Sequence, residues 1–246
     1  MKDPTLYGGH DPHEMPAYGI AEAAHYLQLP ASTLRAWIRG RSYPTDKGQR
    51  WFAPLIPLPA PHDDSSLALS FVNMVEAHVL KALRRTHRVS MYKVREALTC
   101  LEDHFPSPHP LADQAFATNQ VDLFIEKYGE LVNLNQDGQL VMRKVLDVHL
   151  SRIERDPKGV PIKLYLFTHD HHMGDAEALA DEPRAIAMDP YVSFGRPMLV
   201  GTGIPTAIVA ERYKAGESIQ ELAYDYDLLP SLIEEAIRCE LEMKAA

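Results

Sequence analysis

The densest run of chemistry-bearing side chains in this 246-residue chain is Thr168-His169-Asp170-His171-His172, followed by Asp175. Imidazoles and carboxylates are the ligand types of zinc and similar ions. A metal site needs its ligands to converge on one point, and adjacent histidines do not all face one ion. The spacing matches no metal motif, so the cluster is expected to be structural. A metal-dependent enzyme working through the His169–His172 loop is the minor alternative. No P-loop, nucleophile elbow or zinc-protease signature occurs elsewhere. Cys100 and Cys239 lie far apart in amphipathic, helix-like contexts, which suits reduced packing cysteines rather than a disulfide or a metal-sensing loop. No cofactor is expected, and the chain is not expected to be an enzyme.

A second set of residues suits recognition rather than reaction. Ser32, Thr33, Arg35 and Arg39 lie on a short segment that opens with small polar residues and continues with arginines. A recognition helix uses short side chains near base edges and arginines toward guanine or phosphate. Arg41, Lys47 and Arg50 follow in a Pro- and Gly-rich stretch that suits a wing laid on the DNA backbone. Helix-turn-helix units also serve for packing alone, and that is the bland alternative. Arg84, Arg85 and Arg88 form another basic cluster, of the kind that solvated helix ends usually explain. Arg196, beside Pro197, could reach an acidic site on a partner protein or pair with a local carboxylate.

These residues need elements to hold them. Ile20 to Leu27 reads as a short amphipathic helix, Leu29-Pro30 breaks it, and Ser32-Thr33 opens a second helix through Ile38. Ile20, Ala23, Ala24, Leu27, Leu34 and Trp37 would form their shared core, and Gly40 is a plausible stop. Residues 41 to 58 suit a hairpin or loop. Leu69, Val72, Val75, Val79, Leu80 and Leu83 then repeat at helical spacing, and Ser90 starts a helix with Val94, Ala97, Leu98 and Leu101 on one face. Pro106, Pro108 and Pro110 close this block. In the middle, Val121 to Tyr128 mixes strand and helix signals. Asp137-Gly138 predicts a hairpin between two short apolar runs. Val145 to Ile153 suits a short helix, Ile162 to Phe167 a strand, and Thr168 to Glu182 a polar loop.

At the rear, Thr206 to Ala215 predicts a helix with Ile208, Val209 and Tyr213 inward, stopped by Gly216. Ser218 and Glu221 have capping-box spacing for a second helix. Pro230 suits the first turn of a third, with Leu232, Ile233, Ala236, Ile237 and Leu241 as its apolar stripe. These helices are expected to display Glu217, Glu221, Asp225, Asp227, Glu234, Glu235, Glu240 and Glu242, with Arg238 and Lys244 too few to offset them. Like charges repel a polyanion, so this module is a poor DNA reader and a better protein contact or dimer interface. The net charge of −9 is distributed accordingly: residues 1 to 104 hold 12 Lys and Arg against 11 Asp and Glu, and the rest hold 13 against 23. No apolar run is long enough to span a bilayer and no signal peptide is apparent, which predicts a cytoplasmic protein.

The fold class expected is mostly α with small β hairpins. Residues 1–17 form a flexible tail, 18–105 a winged helix-turn-helix, 106–182 a mixed α+β middle region, and 183–246 a three-helix, helix-turn-helix-like domain.

The stretch from Tyr18-Gly19-Ile20 through Ser32-Thr33-Leu34-Arg35-Ala36-Trp37, Gly48-Gln49-Arg50-Trp51-Phe52 and Val89 to Leu98 resembles the MerR-type winged helix-turn-helix family. That resemblance implies duplex DNA binding, normally as a dimer. Gly195-Arg196-Pro197, Gly201 to Thr206, Gly216 to Ile219 and Glu221 to Tyr226 resemble a small family of bacterial antitoxins found beside PIN-domain ribonucleases. Many relatives carry a basic residue where this chain has Gly203, which leaves any contact of that residue without a counterpart. The combination resembles a large VapB-type antitoxin of a type II toxin–antitoxin pair. It implies operator DNA and a PIN-domain ribonuclease toxin as partners, a homodimer or a toxin–antitoxin hetero-oligomer, and autoregulation of the operon. The alternative is a MerR-like transcription regulator responding to a small effector.

Overall fold

One helix is buried almost along its whole length, and the other elements are arranged around it. The computed structural model describes residues 7–45, 48–59, 67–86, 91–169 and 176–241. The central helix is α3 (Phe71–Thr86), whose residues from Phe71 to Leu83 are all buried. The apolar stripe from Val72 to Leu83 accounts for one face. The other face carries Asn73, Glu76, His78 and Lys81, and burying polar groups is tolerable only with partners. Asn73 and Ser70 cap the helix start reciprocally, with Ser70 N donating to Asn73 Oδ1 at 3.1 Å, and Asn73 Nδ2 donates to Pro57 O at 2.8 Å. His78 Nε2 lies 3.1 Å from His149 O, and Lys81 Nζ donates to Gln28 Oε1 at 3.1 Å.

Around it run β1 (Tyr18–Gly19), α1 (Ile20–Tyr26), α2 (Ala31–Arg39), the hairpin β2 (Arg41–Thr45) and β3 (Gly48–Phe52), and β4 (Leu67–Leu69), which pairs antiparallel with β1. α4 (Met91–His104) packs on α5 (Val121–Val132), which a π-helical turn at Phe116–Gln120 introduces. α6 (Gln136–Ser151) packs on α3. β5 (Ile153–Arg155), β6 (Pro161–Tyr165), β7 (Ile186–Met188) and β8 (Met198–Leu199) form one antiparallel sheet in that order, with α7 (Ala176–Asp181) between β6 and β7. α8 (Thr206–Lys214), α9 (Ile219–Tyr226) and α10 (Pro230–Glu240) close the chain. The buried apolar residues of front, middle and rear belong to one continuous core. The fold is thus mostly helical with small antiparallel sheets, as the sequence predicts.

The middle departs from expectation at Asp137-Gly138. No hairpin forms there. Asn133 ends α5 in a left-handed conformation, φ 55°, and Asn135 caps α6 by accepting from Gly138 N at 2.9 Å. Asp-Gly in a helix's first turn is as compatible with an Asn cap as with a turn. The apolar period that follows, Met142, Val145 and Leu146, makes the difference.

In the rear module the caps hold. Ser218 Oγ accepts from Glu221 N at 3.2 Å, Glu221 Oε2 accepts from Ser218 N at 2.8 Å, and Pro230 occupies the first turn of α10. Three expectations fail. Ile208 and Tyr213 point outward, because α8 meets α10 through the smaller Thr206, Val209 and Ala210, a row at i, i+3 and i+4 that permits close approach. Glu235 is buried, and Leu241 is exposed beyond the helix end. Arg212 offsets part of the acidic face by pairing with Glu217 and Asp225. Glu242 and Lys244 lie outside the described residues.

The segment before β1 is pinned by His109, whose Nδ1 lies 3.1 Å from Glu76 Oε2 and Nε2 3.2 Å from Glu14 Oε2. Burial opposes charging the ring, but hydrogen bonds and charge from Glu14 and Glu76 outweigh it and push His109 up to about 10. Burial also raises the Glu76 carboxyl, which the His109 and Asn73 hydrogen bonds oppose. A folded-state value above the ordinary one gives stability that is complete below about pH 6.5 and is lost as pH rises through the folded value. His109→Gln is therefore expected to cost about 1–3 kcal/mol near neutral pH in urea denaturation, with the deficit shrinking as the pH approaches the folded value. A deficit that grows with pH would contradict this charge assignment.

Candidate DNA interface and its junction with the rear module

α2 buries Leu34, Trp37 and Ile38 and exposes Ser32, Arg35 and Arg39. The exposed three stand at i, i+3 and i+7 and so share one outward face. α2 opens on Pro30 with no side-chain cap, the arrangement that phosphate oxygens occupy at helix starts. Thr33 is half-buried, and Arg84 Nη1 donates to its hydroxyl at 2.5 Å. This contact brings Arg84, discounted from sequence as a solvated helix end, to the edge of α2.

Gly40 turns the chain from α2 into the wing. Its φ is +71°, and a Cβ there would lie 2.4 Å from Phe52 O and 2.7 Å from a Trp51 ring carbon. The position therefore demands glycine for both conformation and space. Arg41, at the start of β2, is exposed and pairs in register with Phe52, and Arg50 stands opposite Tyr43 on β3. Lys47 lies outside the described residues. Trp51 is 62% exposed on β3. Arg95 from α4 holds the root of the wing, donating to Ala53 O at 2.7 Å with its guanidinium 5.5 Å from the Phe52 ring centre. Ser32, Arg35, Arg39 and Arg41 thus lie together along α2 and the start of the wing.

The turn between α1 and α2 is fixed by a residue that the sequence did not single out. Gln28 adopts φ +50°, and its amide donates to Phe167 O at 3.0 Å and His169 O at 3.1 Å while accepting from Lys81. No local pattern announces this role, since all three partners are distant in sequence. The segment that Gln28 grips carries Thr168, whose hydroxyl lies within hydrogen-bond distance of both Glu235 and Glu182, the latter at 3.1 Å. His169 lies 3.5 Å from Glu182 and 3.6 Å from Glu235, and Arg238 donates to its Nε2 at 2.7 Å. The tempting histidine thus belongs to a polar network tying the front turn to α10. Asp170, His171, His172 and Asp175 lie outside the described residues. Among the described residues, no three His, Cys, Asp or Glu side chains are grouped to hold a metal.

The front and rear modules meet directly. Tyr18 donates its hydroxyl to Gly195 O at 2.9 Å, and burial holds that phenol well above its usual range. His25 Nε2 lies 2.8 Å from Cys239 O. Arg196 follows a tight turn at Ser193–Gly195, and it pairs with Glu22 of α1.

The family described as "Putative DNA-binding HTH domain" matches residues 16–98, and the one described as "Protein of unknown function (DUF433)" matches residues 186–238. The protein named "Putative antitoxin VapB45" of Mycobacterium tuberculosis is 30% identical over 243 residues, covering 91% of this chain and 93% of its own length. The chain belongs to this VapB-type antitoxin family. The crystal structure of Rv2018 from Mycobacterium tuberculosis superposes with a TM-score of 0.67 at 25% identity, covering 91% of this chain and 98% of that one. The first of the two matched families spans the whole of α1, α2 and the wing, and the second spans β7 to α10 of this antitoxin-family chain. No helix among the described residues is long and apolar enough to cross a membrane.

Proposed function

We propose that the chain is a cytoplasmic antitoxin that neutralises a PIN-domain ribonuclease and represses its own operon by binding operator DNA as a dimer. It acts by binding and carries out no catalysis. The observation that carries this reading is the near full-length match to an antitoxin, joined to a helix-turn-helix whose outward face is Ser32, Arg35 and Arg39. The recognition helix enters the major groove, with Arg35 and Arg39 at guanine edges or phosphates and Thr33 near its entry. Arg41, Lys47 and Arg50 hold the wing to the backbone, and Arg84 adds a phosphate contact beside α2.

The toxin contact belongs to the rear module. Arg196 is a candidate for it, able to exchange its Glu22 carboxylate for one on the toxin. The outward apolar residues of this module, Ile208, Tyr213, Tyr224 at 87% exposure and Leu229, are further candidates for that contact. The two tyrosines are of a residue type enriched among the anchors that carry binding energy at protein interfaces. Affinity purification of the chain from native cells is expected to bring down a small PIN-domain nuclease in stoichiometric amount. Recovery of the chain without any nuclease, from cells that express one beside it, would count against the reading.

A further inference from the structure

A cavity of about 300 Å³ opens between the segment leading into α1 and the turn before β8. Its walls are mostly rings: Tyr7, Tyr18 and Phe194, with Pro12, Pro16 and Pro190. Arg196 is the single charged residue among them. Both phenols are committed within the protein, Tyr7 to Pro190 O at 3.1 Å and Tyr18 to Gly195 O at 2.9 Å. The guanidinium is therefore the feature able to select a ligand by charge. Its side chain is 42% exposed, and its partner Glu22 is not part of the cavity wall.

The turn beside the cavity is held in an unusual conformation. Ser193, Phe194 and Gly195 have φ of 48°, 52° and 77° in succession. Two of them pay the steric cost of a side chain in the left-handed region. Such conformations persist where surrounding structure fixes them, and they gather at ligand clamps. The effect here is to hold the Phe194 ring at the cavity, 73% exposed, with its centre 6.3 Å from that of Tyr7 in an edge contact. Core packing does not account for a ring so exposed.

We propose that this cavity binds a small aromatic carboxylic acid, its ring lying against Tyr7, Tyr18 and Phe194 and its carboxylate pairing with Arg196 in place of Glu22. The volume is at the lower end for small-molecule sites, which suits one or two rings. Exchanging one carboxylate for another keeps the guanidinium compensated, and Arg–carboxylate pairs are among the strong charge-assisted bonds. A neutral ligand would leave Glu22 where it is, and an amine would meet a like charge. Because Glu22 stands on α1, occupancy frees the first helix of the DNA-binding unit from one of its ties to the rear. The assignment stands on the cavity itself and does not depend on the antitoxin reading.

Calorimetric titration of the full chain with indole-3-acetate and with indole-3-acetamide tests it. The acid is expected to bind with a dissociation constant below about 1 mM and the amide about tenfold or more weakly, the loss of a charge-assisted pair. Arg196→Met is expected to weaken the acid to the level of the amide. Glu22→Gln is expected to tighten the acid severalfold, because the competing carboxylate is gone, and this comparison holds even if Arg196→Met does not fold. Equal binding of acid and amide, no binding of either, or an unchanged acid affinity in Glu22→Gln would overturn the assignment. Binding of a peptide ending in a free tryptophan carboxylate, with none of the free acid, would overturn it in favour of a peptide tail.

Discussion

Arg35→Ala is expected to raise the dissociation constant for operator DNA about 5- to 150-fold, the equivalent of ~1–3 kcal/mol for a lost base contact. Arg35 stands between Ser32 and Arg39 on the outward face of α2, while Leu34, Trp37 and Ile38 fix the opposite face in the core. The substitution removes an exposed side chain, so the fold has no reason to change. The discriminating measurement is fluorescence anisotropy with operator and scrambled duplexes at several salt concentrations. Loss on the operator alone marks a base contact. Arg84→Ala is expected to behave differently, weakening both duplexes alike and lowering the salt slope by about 1, as a phosphate contact does. If Arg35→Ala weakened both duplexes equally, Arg35 would be a backbone contact and the reading of α2 as the base reader would fail.

Gly40→Ala is expected to be the most damaging single methyl in the front module. The added carbon would sit 2.4 Å from a β3 carbonyl and 2.7 Å from the Trp51 ring, at a φ of +71°. Neither a backbone carbonyl nor the wing it belongs to can step aside without breaking the register of β2 and β3. A loss of about 2–4 kcal/mol is expected in urea denaturation, from the named combination of overlap and backbone strain. Operator affinity should fall with it, since the wing must shift. Gly203→Ala is the control, because its φ is similar at +74° but nothing lies within 4 Å of the added carbon. Only the conformational term of about 1 kcal/mol applies there. Equal costs at the two glycines would show that the close packing of wing on helix is not real.

These contrasts also mark what the sequence could and could not show. Local chemistry was legible. The break at Leu29-Pro30, the stop at Gly40, the Ser218–Glu221 box and Pro230 all act within a turn or two, and each element begins or ends where those residues direct. Features decided by distant partners were not legible. Glu235 looks like part of a solvated acidic face, but Thr168 and Arg238 bury it. Ile208 and Tyr213 fit an inward face by type, but the contact with α10 selects the smaller residues instead. Asp137-Gly138 favours a hairpin only until the Asn135 cap and the apolar residues beyond it are weighed together. Of the candidate site, the outward arginines of α2 could be read from helical period. The Arg84 contact and the Gln28 clamp depend on chain segments roughly fifty to a hundred and forty residues away.

The central claim is that one chain inhibits a ribonuclease with its rear and reads an operator with its front. The most direct measurement is RNA cleavage by the nuclease that co-purifies with the chain, titrated with the wild-type chain and with Arg35→Ala. The account predicts that both stop cleavage at the same stoichiometry while Arg35→Ala alone fails to hold the operator. Cleavage that continues undiminished in the presence of excess wild-type chain would contradict it.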